Sequence, residues 1–214
     1  MRLTFLAALS SMALSGCAGS GFSFPGFTSA PLPVLQLLGG DVIVTGPDGY
    51  CVSPAASNAR AGFAVMAGCD LIAGGPERPS VNAVITVQAG AADTAAVAGN
   101  EATFAAFLET DAGQAVLSRA GDAATVDVKS ATSRDGRVSV TFADTAPDTI
   151  AGFQPTQWRG FVDVNGRLVT VTVRGLAGAP LFDGAGNALL GQALGAIRAA
   201  NDASAVVVVA DDAG

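Results

Sequence analysis

The dipeptide Asn165-Gly166 constrains the fold most strongly, because it separates two runs of alternating apolar residues. Asn-Gly at such a position is typical of a two-residue type I′ turn, in which both central residues take a positive φ. With Val164 paired to Arg167, one face of the hairpin carries Trp158, Val162, Val164, Val169, Val171 and Val173. The other face carries Arg159, Asp163, Thr170 and Thr172, with Phe161 and Leu168 as partial exceptions. The segment therefore predicts an antiparallel hairpin with one face in a core and the other toward water.

A second hairpin is expected within residues 124–144, whose apolar side chains include Val126, Val128, Val138, Val140 and Phe142. A two-residue Asp135-Gly136 loop would divide these five side chains between the two faces of the sheet. A three-residue loop that starts at Arg134 instead pairs Ser133 with Arg137 and brings all five apolar side chains onto one face. In this loop the backbone of Gly136 takes the left-handed conformation. The pattern therefore predicts the three-residue loop.

The remaining segments supply shorter strands and helices. Apolar runs bounded by turn residues predict strands at 41–45, 50–52, 62–69 and 80–88. Helical spacing predicts a helix that begins after an N-cap at Asn100, followed by a second helical segment at 111–119. A C-terminal helix is expected after Gly186-Asn187 and is predicted to end near Asn201. Residues 206–209 fit either a last strand or a tail.

These elements predict one α+β domain at residues 41–202, in which an antiparallel sheet built from hairpins packs with two helices. The last residues, 203–214, are assigned to a short C-terminal strand or tail. In its order of elements the chain resembles the Mog1/PsbP-like α/β/α sandwich over residues 41–201. The Gly-Tyr-Cys at 49–51 and the Gly-Cys at 68–69 resemble those of alphaproteobacterial envelope lipoproteins. Because such folds carry unrelated activities, these resemblances imply an architecture and not a function.

The N-terminus reads as an export segment, with a basic Arg2 and an apolar run from Leu3 to Leu14 that is too short to span a bilayer. The residues Leu14-Ser15-Gly16-Cys17 resemble the lipobox of bacterial lipoproteins. The resemblance implies that residues 1–16 are removed as a signal peptide and that Cys17 carries a diacylglycerol and an N-acyl chain. Ala18 stands where the family uses Asp for retention in the inner membrane, which implies the outer membrane and a domain facing the periplasm. An ordinary cleaved signal peptide with an incidental Cys17 thiol is the alternative.

Residues 17–40 are assigned to the lipidated cysteine and a flexible tether. The stretch 18–33 is rich in Gly, Ser and Pro and carries no charge, as is typical of linkers. Phe22, Phe24 and Phe27 interrupt this pattern, and they fit contact with the lipid interface, docking on the domain or an incidental presence. Two or three acyl chains suffice for stable anchoring, since a single chain holds a protein only marginally.

The charge balance is acidic, with 11 Lys and Arg against 18 Asp and Glu and no histidine. Loss of Arg2 with the signal peptide leaves 10 basic groups and a net charge of −8, which anionic headgroups repel, so we expect a covalent membrane anchor. Lys129 is the single lysine and the arginines are scattered, so a nucleic-acid partner is not expected. The lack of histidine removes imidazole metal ligands and the usual Ser-His and Cys-His catalytic pairs.

Cys51 and Cys69 are expected to form a structural disulfide in the oxidising periplasm. They do not form a CxxC motif, and two thiolates alone leave a zinc site incomplete. The stretch 183–187, Asp-Gly-Ala-Gly-Asn, lacks the ligand pattern of a calcium-binding EF-hand and favours a turn that ends in an N-cap. Asp127 and Asp144 are predicted to face outward and inward respectively, which argues against a glycosidase carboxylate pair.

Lys129 and Ser130 are neighbours in a predicted strand, so their side chains point to opposite faces of the sheet. They therefore do not form a catalytic Ser-Lys dyad. The sequence accordingly predicts no catalytic, metal-binding or cofactor-binding residues. It favours a non-enzymatic accessory domain of the envelope that binds a protein partner, and it leaves the oligomeric state open. The alternative is a carrier or sensor of a small apolar or lipid-like ligand. A large closed apolar cavity would favour the carrier, whereas a packed core with an exposed apolar patch would favour protein binding.

Overall fold

The computed structural model describes residues 30–72, 74 and 78–211, with side chains as far as residue 203. These residues form nine strands and three α-helices. The strands are β1 (Val34–Leu37), β2 (Val42–Thr45), β3 (Tyr50–Val52), β4 (Phe63–Gly68), β5 (Ala83–Ala89), β6 (Val126–Arg134), β7 (Arg137–Asp144), β8 (Phe153–Val164) and β9 (Arg167–Leu176). The helices are α1 (Glu101–Leu108), α2 (Asp111–Leu117) and α3 (Asp183–Asp211). No helix within the described ranges has the length and apolar character needed to cross a membrane.

Seven strands build one antiparallel sheet in the order β3-β4-β5-β9-β8-β7-β6, and β1 pairs with β2 in a small second sheet. Helix α3 packs against β2, β8 and β9, whereas α1 and α2 pack against β6 and β7. The two helical layers contact opposite faces of the large sheet, because they cover side chains that alternate along the same strands. The predicted α+β class and α/β/α layering are therefore confirmed.

The first core lies between α3 and the sheet, and it contains the predicted apolar face of the β8–β9 hairpin. Val164 pairs with Arg167, and Asn165 and Gly166 have φ values of 48° and 74°, as the predicted turn requires. Glycines allow the helix to approach closely: a Cβ at Gly160 would lie 2.6 Å from Leu194 Cδ1, and one at Gly186 would overlap the indole of Trp158. The side chains between α3 and the sheet are therefore closely packed.

The second core lies on the other face of the sheet, where α1 and α2 cover side chains of β6, β7 and β8. Leu108 and Leu117 of these helices are fully buried against neighbours that include Phe142 and Phe161. The prediction that this side of the β8–β9 hairpin faces water is therefore wrong. The segment between β5 and β6 folds back over the sheet, because its own apolar stripe has no other surface to bury.

The predicted three-residue loop between β6 and β7 is also wrong. Arg134 pairs with Arg137, which leaves a two-residue Asp135-Gly136 loop with φ values of 51° and 72°. The register shifts between Val128 and Ser130, so Lys129 is an extra residue on β6. This β-bulge returns the apolar residues of β6 to the face shared with β7, which is the result that the longer loop was expected to give.

Ordered structure begins before residue 41, since β1 lies within the range assigned to the tether and Leu37 is fully buried. The C-terminal helix also differs from its prediction. It begins at Asp183, before Gly186-Asn187, and continues past Asn201 to Asp211, so the assignment of residues 203–211 to a strand or tail is wrong.

The side chain of Asn201, within α3, is bonded to β2. Its Oδ1 accepts from Ile43 N at 2.9 Å, and its Nδ2 donates to Ile43 O at 2.8 Å and to Ile197 O at 2.7 Å. The amide therefore bonds the backbone of β2 as a neighbouring strand would, and it also bonds the carbonyl one turn earlier in α3.

Candidate functional site

Among the predicted site residues, Cys17 lies outside the described residues, so its lipidation stays a prediction. Cys51 and Cys69 form a disulfide, with their Cα atoms 4.9 Å apart. Cys51 is in the edge strand β3, and Cys69 directly follows β4, its neighbour in the sheet. The bond therefore joins the first two strands of the sheet and has the structural role expected of it.

Other residues weighed from the sequence do not form a site. Residues 183–187 form the beginning of α3, so the expected turn that ends in an N-cap is wrong. Asp127 is exposed and pairs with Ala143, whereas Asp144 is buried, so these two carboxylates lie on opposite faces. Within the described part of the chain, no group of three or more Asp, Glu, Cys or His residues is placed to hold a metal ion.

One end of the sheet displays large apolar side chains. Strands β4 and β9 are parallel to each other, since both are antiparallel to β5, and β8 starts where β9 ends. Leu71 after β4, Ile150 before β8 and Phe182 after β9 therefore belong to loops at the same end. Phe182 is 83% exposed and Ile150 is 58% exposed, and we call these three residues the loop surface.

Hydrogen bonds hold the two loops that carry Ile150 and Phe182 together. Gln154 is buried, its Oε1 accepts from Leu181 N at 2.6 Å, and its Nε2 donates to Leu181 O at 3.2 Å. Ala177 N donates to Gly152 O at 2.8 Å, which adds a backbone link one residue after the end of β9. The exposed side chains therefore stand on a fixed support and not on free loop tips.

A charged network on the α2 side of the sheet supports the loop that carries Ile150. Its members are Arg119, Arg159, Arg174, Asp144 and Asp148, and Arg119 forms an ion pair with Asp144. Arg174 forms an ion pair with Asp148, two residues before Ile150, and its guanidinium lies over the ring of Phe153. Burial raises the pKa of Asp148, but the hydrogen bonds from Arg174 and from the backbone of Ile150, together with the positive charges of Arg174 and Arg119, hold the pKa below its usual value. The ion pair therefore persists at neutral pH and fixes the loop against the sheet.

Arg159 lies in the centre of this network. Its Nε donates to Thr172 Oγ1 at 3.1 Å, and its guanidinium stacks on Phe142 with 5.1 Å between Cζ and the ring centre. Burial lowers its pKa to about 10, an effect that Asp144 opposes and that the positive charges of Arg119 and Arg174 reinforce. Three positive charges thus depend on two carboxylates for their compensation.

The loop surface could not be identified from the sequence. Phe182 follows Pro180-Leu181 in a segment whose apolar residues fit a buried loop equally well. Whether Phe182 is exposed depends on where the loop lies in the tertiary structure. A single aromatic residue in the sequence does not indicate this. Gln154, which fixes the loop, also has no sequence pattern that distinguishes it from a solvated strand residue.

Comparison with known proteins gives limited similarity. Neither a family model nor a curated protein matches this chain. A solved structure of a point variant of the protein Mog1 is 12% identical, with 71% of this chain and 78% of that chain covered and a TM-score of 0.40. The Saccharomyces cerevisiae Ran-binding protein Mog1p is also 12% identical, with 73% and 80% covered and a TM-score of 0.41. We transfer no function from these two structures.

Proposed function

We propose that this protein is a non-enzymatic, protein-binding domain, held by a lipid on Cys17 at the periplasmic side of the outer membrane. The partner docks on the loop surface of Leu71, Ile150 and Phe182. The observation that carries this proposal is the exposure of Phe182 and Ile150 on loops that hydrogen bonds hold in place. Aromatic and large aliphatic side chains on a rigid support are the usual centres of protein interfaces.

The charges around the loop surface favour a protein partner over a lipid surface. Each apolar residue has an aspartate close by in the chain: Asp70 before Leu71, Asp148 near Ile150 and Asp183 after Phe182. Arg78 and Arg174 already pair with Asp70 and Asp148. Asp183 is in no ion pair among the described residues, and the chain as a whole is acidic, so anionic headgroups would be repelled, whereas a protein with Lys or Arg around an apolar centre would complement these charges.

The carrier alternative is less well supported by the packing between sheet and helix. Trp158 is fully buried there, and a Cβ added at Gly186 would overlap its indole ring. A ligand placed in this layer would have to displace close-packed side chains. An exposed apolar surface beside a filled layer is the combination that favours protein binding.

Site-specific cross-linking in intact cells tests the docking surface. We expect a photo-reactive benzophenone amino acid in place of Phe182 to give one cross-linked protein. The same amino acid in place of Val116, a 61% exposed residue on α2, serves as the matched control and should not give that product. Ile150→Ser should reduce the yield at position 182 about tenfold or more, because a central contact of an interface is lost. Cross-links to lipid alone, or equal protein products at both positions, would refute the proposal.

The anchor has an independent test in the processing of Cys17. Cys17→Ala should abolish incorporation of labelled palmitate and leave the precursor with residues 1–16 uncleaved, because the thioether is made on the cysteine thiol. Cys51→Ala is the matched control, since it also removes a cysteine but leaves Cys17 in place, and it should be labelled normally. A Cys17→Ala protein that is still labelled and processed would contradict the anchor, and fractionation with the inner membrane would contradict the sorting.

A further inference from the structure

A polar groove lies beside α3, between the helix and the β6–β7 hairpin. It has a volume of about 510 Å³ and is lined by Thr132, Ser133, Arg134, Arg137, Ser139, Asn187 and Gly191. Arg134 pairs with Arg137 and Thr132 pairs with Ser139, so two arginines and two hydroxyl residues form matched pairs on the strands. Asn187 borders the groove from the helix, and its Oδ1 accepts a hydrogen bond from Thr141 Oγ1 at 3.2 Å.

The two arginines stand in an unfavourable arrangement. Like charges directly opposite each other on neighbouring strands destabilise a hairpin. The described residues provide no carboxylate in an ion pair with either Arg134 or Arg137, although the protein has an excess of acidic groups. Arg198 of α3 adds a third positive charge at the same hairpin, where its Nη1 donates to Asp135 O at 2.6 Å. An anion between the guanidiniums would relieve this repulsion.

The helix wall of the groove leaves room for a ligand. A Cβ at Gly191 would meet no atom within 4 Å, so packing does not require glycine there. Glycine inside a helix costs roughly 1 kcal/mol relative to alanine, and here it keeps the wall beside the arginines flat. The groove is also within the size range of small-molecule sites, which is about 300–1,000 Å³.

We propose that this groove binds a small molecule through an oxyanion, a phosphate or a carboxylate, held by Arg134 and Arg137. Arginine binds both groups through two parallel N–H donors. Thr132, Ser139 and Asn187 supply hydroxyl and amide groups for polar parts of the same molecule. The β6–β7 turn lies at the opposite end of the sheet from the loop surface, so this site is separate from the proposed protein interface.

Calorimetric titration of the full mature protein in neutral detergent, at constant ionic strength, tests the site. Inorganic phosphate, glucose 1-phosphate and glucuronate are the probes, and neutral glucose is the negative control. Saturable binding of either phosphate compound identifies phosphate as the bound group, and binding of glucuronate alone identifies carboxylate. We expect Arg137→Gln to weaken the binding at least tenfold, whereas Arg60→Gln, which removes an exposed arginine elsewhere, should leave it unchanged.

A steric variant separates binding in the groove from general charge attraction. Gly191→Leu should block the groove while α3 stays folded, because the added side chain starts in open space and leucine favours helix. Gly195→Leu on the same helix also starts in open space but does not line the groove, so it should bind normally. No saturable binding of any anionic probe, or equal affinity in Arg137→Gln, Gly191→Leu and the unaltered protein, would overturn the proposal.

Discussion

Replacing Asp144 with alanine should lower the free energy of unfolding by about 3–5 kcal/mol, the usual cost of removing one partner from a buried ion pair. Asp144 is only 1% exposed, and its Oδ2 lies 3.1 Å from Arg119 Nη1. Its carboxylate also accepts from the backbone N–H groups of Arg119 and Ala146, both at 2.9 Å. The variant leaves these donors without acceptors and leaves Asp148 as the only carboxylate of the arginine network described above.

Urea unfolding followed by circular dichroism measures this loss. Asp127→Ala is the matched control, because Asp127 is an exposed carboxylate at the start of the neighbouring strand β6. Its replacement should change stability by no more than about 0.5 kcal/mol. If Asp144→Ala and Asp127→Ala had similar stabilities, the network would not be a significant contributor to the fold.

Breaking the disulfide should be the other large perturbation. The bond joins residues 18 apart in sequence, and loop-closure entropy for such a loop corresponds to about 3 kcal/mol of stability. Cys51→Ala, Cys69→Ala and the double variant should therefore be destabilised by similar amounts, since each loses the same bond. The free energy of unfolding of a single domain is typically only about 5–15 kcal/mol, so the loss of the disulfide removes a substantial fraction of it.

Denaturant unfolding with and without a reducing agent provides the internal control. Reduction should destabilise the unaltered protein and leave the double variant unaffected. Alkylation of the unreduced, denatured protein should find no free thiol at position 51 or 69. Stoichiometric labelling of both positions would show that the bond is absent from the protein.

Local chemistry explains which parts of the fold could be predicted from the sequence. The β8–β9 hairpin was predictable because Asn165-Gly166 fixes the turn and the alternation of apolar residues agrees with it. The β6–β7 register was not, because the bulge at Lys129 has no local sign in the sequence. Both the bulge and a longer loop satisfy the same apolar pattern, and only the pairing within the assembled sheet distinguishes them.

The candidate sites depended even more on tertiary structure. The disulfide was predicted from two cysteines and an expected oxidising compartment, and the structure pairs the same two cysteines. The groove arginines, by contrast, are opposite each other only in the register that the structure adopts. With the predicted pairing of Ser133 to Arg137, Arg134 would lie in the loop and would have no cross-strand partner. A shift of the β6–β7 register by one residue therefore decides whether the two arginines lie opposite each other.

The link between Asn201 and Ile43 joins residues 158 apart in sequence, nearly three quarters of the chain. Contacts of such long range slow folding, because most of the chain must be brought together before they form. During synthesis from the N-terminus, β2 is complete long before α3 exists to cover it. Val42 and Val44, which are fully buried in the finished domain, must remain without their helical layer until α3 has been made. Strand β2 thus completes its packing only once α3 has been made.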